Sequence, residues 1–220
     1  MAAAEDRAPG SDTGAAPAHT KATRGDWIAS ALDTLISHGV DSVKVLTLAD
    51  RLGVSRSSFY WYFKNREELL DALLAHWQDT NTRGIVAQAE ARSGSIVEGV
   101  ANVFRCWIDE RLFDPRLDFA VRDWARRSDR VRDELHRADD VRVAAIAGLY
   151  RRHGWEEVEA FVRARVLYFM QIGYYALDLG ESLARRKELT AHYLKSFTGQ
   201  DPTAAELDPF MAWIGEMARG

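Results

Sequence analysis

A chain of 220 residues, 47% hydrophobic and 28% charged, has the composition of a folded globular protein long enough to bury its own core, which excludes disordered and fibrous classes. The net charge is −4, yet seven cations face four anions between Thr20 and Arg66, so a basic head precedes an acidic body, as suits a protein that touches a polyanion with one end. One cysteine, Cys106, leaves no internal disulfide and points to a reducing cytoplasm; no apolar run approaches the roughly 20 residues of a membrane span, and MAAAEDRAPG lacks the basic-then-apolar order of an export signal.

Residues 1–19, rich in Ala, Gly, Pro, Ser and Asp without apolar periodicity, read as a disordered tail, with order expected from about Thr23. From Arg24 to His38, Trp27, Ile28, Ala31, Leu32, Leu35 and Ile36 recur at helical spacing, and Gly39 is a natural stop. Leu48, Ala49 and Leu52 mark a short second helix ending at Gly53. Ser55 is placed to cap a third, running to about Phe63, and Asn65 a fourth, carried by Leu69, Leu70, Leu73, Leu74 and Trp77.

Farther along, Ser95 to Leu112 presents Ile96, Val100, Val103, Phe104, Trp107 and Ile108 on one broad face, and Pro115 opens a helix containing Phe119, Val121, Trp124 and Ala125. Asp129–His153, Trp155–Leu179 and Leu183–Phe197 follow as long helices, with Gly154 between the first two. After Asp201-Pro202, Ala205–Ala218 reads as one or two further turns. No strand-like alternation of useful length and no repeat is found, so the fold class is all-α. The division expected is a head over 20–66 and a helical body over 67–220.

The informative stretch is TLADRLGVSRSSFYWYFKNREELLDALL, Thr47 to Leu74. Two short helices crossing steeply need a tight turn, which Gly53 supplies, and a close approach, which Ala49 permits. Leu48, Leu52, Val54, Phe59 and Phe63 then form a small core with the first helix. That leaves Arg56, Ser57, Ser58, Tyr60, Trp61 and Tyr62 on an exposed face, a concentration of rings and hydroxyls that calls for a partner. Arg56 can donate twice to guanine in a major groove, and Ser57 and Ser58 can reach base edges or phosphates. Tyr60 and Tyr62 suit phosphate hydrogen bonds, and Trp61 can pack on sugar or a thymine methyl. Lys64 and Arg66 would neutralise backbone charge. Lys44, Thr47 and Ser55 complete the candidate surface.

With Leu48-Ala49, Gly53-Val54-Ser55, Tyr60-Trp61-Tyr62-Phe63 and Lys64-Asn65-Arg66, the segment from about Thr23 to Trp77 resembles the DNA-binding domain of the tetracycline-repressor (TetR) family. The match covers about a quarter of the chain. One departure is Lys44, where the family often caps the second helix with Thr; the cap bond and any phosphate contact of that Thr are then in question, and Lys44 would meet phosphate by charge. The resemblance implies an effector-responsive repressor acting as a homodimer on a pseudo-palindromic double-stranded operator. It also implies a body that combines a dimer interface with a pocket for a small molecule.

For that interface the Trp155–Leu179 helix is the candidate, apolar on more than one face, with Phe161, Phe169 and Ile172 at the partner and Arg165 towards the rim. For the pocket, Trp77, Phe104, Trp107, Trp124 and Tyr168 offer aromatic lining, with Phe119, Tyr150 and Tyr174 as further rings. Gln171, Arg122, Asp123 and His76 offer polar anchors. The six histidines lack His-x-x-x-His spacing, no phosphate loop or nucleophile elbow is present, and Cys106 sits among apolar neighbours, so neither metal, cofactor nor enzymatic activity is expected. Asp139-Asp140 and Glu156-Glu157 read as solvated faces. The rival left open is a helical small-molecule-binding protein without DNA binding.

Overall fold

A computed structural model describes residues 22–217; the tail expected over 1–19 lies outside the described residues. These residues form ten α-helices and no strand: α1 Arg24–His38, α2 Val45–Leu52, α3 Arg66–Trp77, α4 Arg83–Glu90, α5 Ile96–Arg105, α6 Pro115–Ala125, α7 Asp129–Arg152, α8 Glu157–Leu177, α9 Leu183–Thr198 and α10 Ala204–Met217. The all-α class is therefore correct.

Local chemistry sets most boundaries. Thr23 and Asp26 close a reciprocal capping box on α1. Asn65 Oδ1 accepts from the Glu68 amide at 2.9 Å, while Glu68 accepts from the Lys64 amide at 2.7 Å. Ser95, Asp114, Ser128 and Ser182 cap α5, α6, α7 and α9 in the same way. Gly53, at φ 64° and ψ 30°, turns the chain out of α2 in the left-handed region that a Cβ disfavours.

Two expectations change. The helix read over Ser95–Leu112 ends at Arg105. In a longer helix the Arg111 amide would donate to the Trp107 carbonyl. Asp109 Oδ1 takes that amide instead, at 3.0 Å, and the Trp107 carbonyl turns to accept from Arg186 at 2.6 Å and from the Tyr175 hydroxyl. The terminal stretch is a helix of 14 residues rather than one or two turns. It continues through Pro209 because Phe210 and Ile214 are buried in the body core. Between α3 and α4 the chain makes one π turn, Gln78–Thr82, which turns Asn81 inward, where its amide bonds both backbone groups of Asp114.

Two apolar cores result. One gathers Trp27, Ala31, Leu35, Leu48, Phe59 and Phe63 with Leu69, Leu73 and Trp77 of α3, and extends to Leu117, Val121 and Trp124 of α6 and Val131 and Leu135 of α7. The core of the head thus crosses the 66/67 boundary read from the sequence, and α6 with the first half of α7 forms its floor. The other core holds Ile85, Val100, Phe104, Ile146, Tyr150, Leu167, Tyr168, Leu194 and Phe210.

Between the cores lies a buried ionic cluster. Asp118, wholly buried, accepts from Trp77 Nε1 at 2.9 Å, Arg142 Nη1 at 2.9 Å and Arg122 Nε at 2.8 Å. Arg122 forks onto Asp139, and the Tyr168 hydroxyl donates to Asp139 at 2.6 Å while accepting from Arg142 at 2.8 Å. The Asp139-Asp140 pair read as a solvated face is thus half inside: Asp139 belongs to this cluster and Asp140 is exposed.

Candidate nucleic-acid interface

The segment after the Gly53 turn is built outward from its core. Phe59, fully buried, meets Trp27 edge-on at 5.2 Å and stacks on Phe63 at 5.2 Å. These contacts fix the backbone on either side and force the intervening residues out. The segment is not the α-helix expected over Ser55–Phe63: Arg56–Trp61 winds as a 3₁₀ helix. Ser55 does not cap it with its side chain. Its hydroxyl pairs with that of Ser57 at 2.8 Å, and Ser58 Oγ donates back to the Ser55 carbonyl at 2.8 Å, satisfying locally what a cap would otherwise serve.

Solvent receives Arg56, Ser57, Tyr60 and Trp61, the last two 54% and 71% exposed, beside Lys64 at the start of the next element. On the α2 side, Lys44 and Thr47 are exposed too. Lys44 sits at the N-cap position in extended backbone and makes no side-chain cap bond, in line with the departure noted at that residue. Arg56, Lys44 and Lys64 form no ion pair among the described residues, so their charge faces outward uncompensated. Ser58 and Tyr62 are half-buried, the Tyr62 ring resting on the head core.

Arg66 departs from this pattern. Its Nε donates to the Val43 carbonyl at 2.6 Å and its Nη2 to the Val40 carbonyl at 2.7 Å, while Nη1 reaches Glu67. The guanidinium expected on phosphate thus stitches α3 to the turn that precedes α2. Arg24 adds a cation that the sequence reading missed. Its guanidinium lies over the Phe63 ring at 5.0 Å, and its position at the start of α1 was the available signal. Leu46, 59% exposed beside Thr47, is a second such residue.

Of the pocket candidates, Phe104, Trp107 and Gln171 do line one cavity, of about 50 Å³, together with Ile108, Met170, Tyr174, Glu181, Arg186, Thr190 and Tyr193. Trp77, Trp124 and Tyr168 do not. Trp77 is locked to Asp118 under the Arg142 guanidinium, Trp124 is packed in the head core, and Tyr168 serves the ionic cluster, as does Arg122. Phe119 and Tyr150 are likewise absent from the lining, and Asp123 and His76 are exposed. The sequence signal for the cluster was a charge in an apolar stripe: Arg142 falls four residues from both Ala138 and Ile146 on α7.

Asp118 is pushed up by burial but held below the ordinary carboxylate range by the Arg142 and Arg122 guanidiniums. Burial raises the Cys106 thiol to about 12, which leaves no thiolate at neutral pH. On α8, Phe161, Arg165 and Phe169 share an exposed face with Val162 and Val166, the Arg165 guanidinium lying between the two rings at 5.4 and 5.1 Å. Ile172, expected on that face, turns half inward onto the body core. Among the described residues no helix is long and apolar enough to cross a membrane.

Comparison with known proteins bears on both halves. The family described as "Bacterial regulatory proteins, tetR family" matches residues 28–73. The tetracycline repressor protein class A from transposon 1721 of Escherichia coli is 38% identical over 86 residues, 39% of this chain and 40% of that protein. The class C repressor of Escherichia coli is 43% identical over 99 residues, 45% and 41% of the two chains. The chain spans about two fifths of the length of these curated relatives. In fold, a transcriptional regulator from Rhodococcus sp. Rha1 superposes with a TM-score of 0.58 at 19% identity, over 82% of this chain and 96% of that one. A TetR-family structure from Rhodococcus sp. gives 0.55 at 18% identity, over 86% and 98%. At such identity the likeness shows the fold, and the fold alone, over the four fifths or more of the chain that superposes.

Proposed function

We propose that this chain, whose residues 28–73 match the tetR family of bacterial regulatory proteins, is a sequence-specific, DNA-binding transcriptional regulator, a cytoplasmic homodimer that represses from a pseudo-palindromic operator until a small effector binds its body. The observation that carries this reading is the outward ridge of Arg56, Ser57, Tyr60, Trp61 and Lys64 on a base of buried rings. Donors and π faces held on a base of buried rings, with cations left unpaired, are wasted in water and matched to a duplex groove.

In this reading Arg56 and Ser57 approach base edges, with Thr47 beside them. Tyr60, Lys44, Lys64 and Arg24 meet phosphates on either side, and Trp61 packs on sugar or methyl. Arg66 acts from within by holding α3 against the α2 turn. Two heads, one per protomer, enter successive major grooves about one helical turn apart. The exposed apolar face of α8, with Phe161, Val162, Val166 and Phe169, supports the second copy as its cover, because a monomer gains nothing by wetting it. The cavity that includes Phe104, Trp107 and Gln171 supports an effector site.

The test is selection of bound duplexes from a random pool, followed by anisotropy titration of the winner across ionic strengths. Enrichment of a two-fold-related sequence, with affinity falling steeply as salt rises, is the expected result. A pool that stays random at low ionic strength would overturn the regulator reading.

A further inference from the structure

Resting on the effector reading above, we infer that the cavity under the α8–α9 turn selects a small aromatic carboxylate, its ring among Phe104, Trp107, Met170 and Tyr193 and its oxygens on Gln171 and Arg186.

The inference comes from an account of the polar groups in the wall. Most acceptors there are already engaged, one Glu181 oxygen excepted. The Trp107 carbonyl accepts from Arg186 and Tyr175. Glu181 accepts from the Tyr174 hydroxyl at 2.8 Å, an arrangement that helps hold that phenol protonated, up to about 12, after burial. The Thr190 hydroxyl donates back to the Arg186 carbonyl at 2.9 Å. The larger unmet capacity is that of donors. Gln171 is 95% buried by its 5% exposure, and its Nε2, though the Tyr175 hydroxyl lies near, has no partner in hydrogen-bonding geometry. Arg186 has a single bonded nitrogen and no carboxylate partner among the described residues. A buried amide N–H without an acceptor is destabilising, and an acceptor brought by a guest removes that penalty.

The walls decide the rest of the guest. Four aromatic rings and a thioether favour a flat, polarisable body over an aliphatic one. A cationic guest would find Glu181, but the Arg186 guanidinium faces the same space and offsets that charge. The present volume of about 50 Å³ holds a few waters, each needing about 10–15 Å³, and not a benzene ring. Entry therefore requires the turn between α8 and α9 to swing outward. That turn carries Glu181 itself, and both Asp178 and Gly180 stand at positive φ there, 45° and 61°. The guest thus exchanges the Tyr174–Glu181 latch for contacts of its own.

Three isosteric probes, benzoate, benzyl alcohol and benzylamine, are titrated calorimetrically into the full chain without DNA. Benzoate is expected to bind at least about tenfold more tightly than either other probe, the difference of one charge-assisted hydrogen bond. Gln171→Leu and Arg186→Met should each erase that preference, and Gln171→Glu should turn it towards benzylamine, with circular dichroism melts showing each variant folded. Equal or tighter binding of benzylamine by the natural chain, no binding of any probe, or variants that keep the preference would each overturn the assignment. Because no duplex enters the experiment, a chain that favours benzoate yet binds no DNA supports this site and overturns only the regulator reading. A chain that binds its operator yet favours benzylamine does the reverse.

Discussion

Arg56, Lys64 and Arg66 lie within eleven positions of one another and carry the same charge, but their surroundings give them different work. Arg56 and Lys64 are exposed and unpaired, whereas the Arg66 guanidinium is spent on two carbonyls. Arg56→Ala is expected to relax base preference at one operator position, by about 1–3 kcal/mol of discrimination. Lys64→Ala should weaken all duplexes alike and lower the salt slope by about one. Identical behaviour of the two in a binding-site competition would refute the division of labour. Arg66→Met should act through stability instead, lowering the melting free energy by about 1–3 kcal/mol because two carbonyls lose their donor. Lys64→Met should leave melting unchanged. The residue types gave all three an equal claim on phosphate, and only their neighbours separate them.

Elements were legible where the chemistry that bounds them is local. Asn65 caps as read and Gly53 turns by its own φ, whereas Ser55 does not cap; Thr23, Ser95, Ser128 and Ser182, not singled out as caps in the sequence, also accept from the amide three residues on. The helix read through to Leu112 failed because the Trp107 carbonyl is claimed by Arg186, 79 positions downstream. The same loop now lies hard against α4. A Cβ added at Gly84 would stand 1.9 Å from the Leu112 carbonyl oxygen, whereas one at Gly99 would meet the movable Leu149 Cδ1 at 2.4 Å. Gly84→Ala should therefore destabilise by about 3 kcal/mol, despite the helix-propensity gain of about 1 kcal/mol. Gly99→Ala should come out near neutral to about 1–2 kcal/mol. Denaturant melts that rank them the other way would mean that the Leu112 loop is soft.

At the scale of the molecule, the head is not a bead on a string. It shares a core with α6 and α7, and the ionic cluster ties α3 to α8 through Asp118, Arg142 and Tyr168. Because the folded Asp118 titrates below its ordinary 3.8, its contribution is fully present above that value and is lost as pH falls through the lower folded value. Acid unfolding should steepen below about pH 4, and Asp118→Asn should remove that component while costing about 3–5 kcal/mol at neutral pH, since it leaves the buried Arg142 guanidinium short of a charge. A pH–stability profile measured on both chains checks the sign. The α8 face gives a second whole-molecule prediction. Val166 is 56% exposed, so Val166→Glu should leave the fold intact while shifting sedimentation to the monomer and abolishing tight operator binding.

The amino-acid sequence alone determined the all-α class, most of the helices with the Asn65 cap, and the exposed ridge after Gly53, because each depends on periodicity or on contacts a few residues apart. It also marked the exposed apolar face of α8, since two-sided helices are visible in a single pattern. What it left undecided depends on partners far along the chain. Tertiary packing alone placed Trp77, Trp124 and Tyr168 in core and cluster rather than in a cavity, drew Arg66 inward, and brought Gln171, Glu181 and Arg186 around one small space. A ring or a guanidinium has the same spacing signature whether it lines a cavity or fills a core, and only the burial and hydrogen bonds around it tell which.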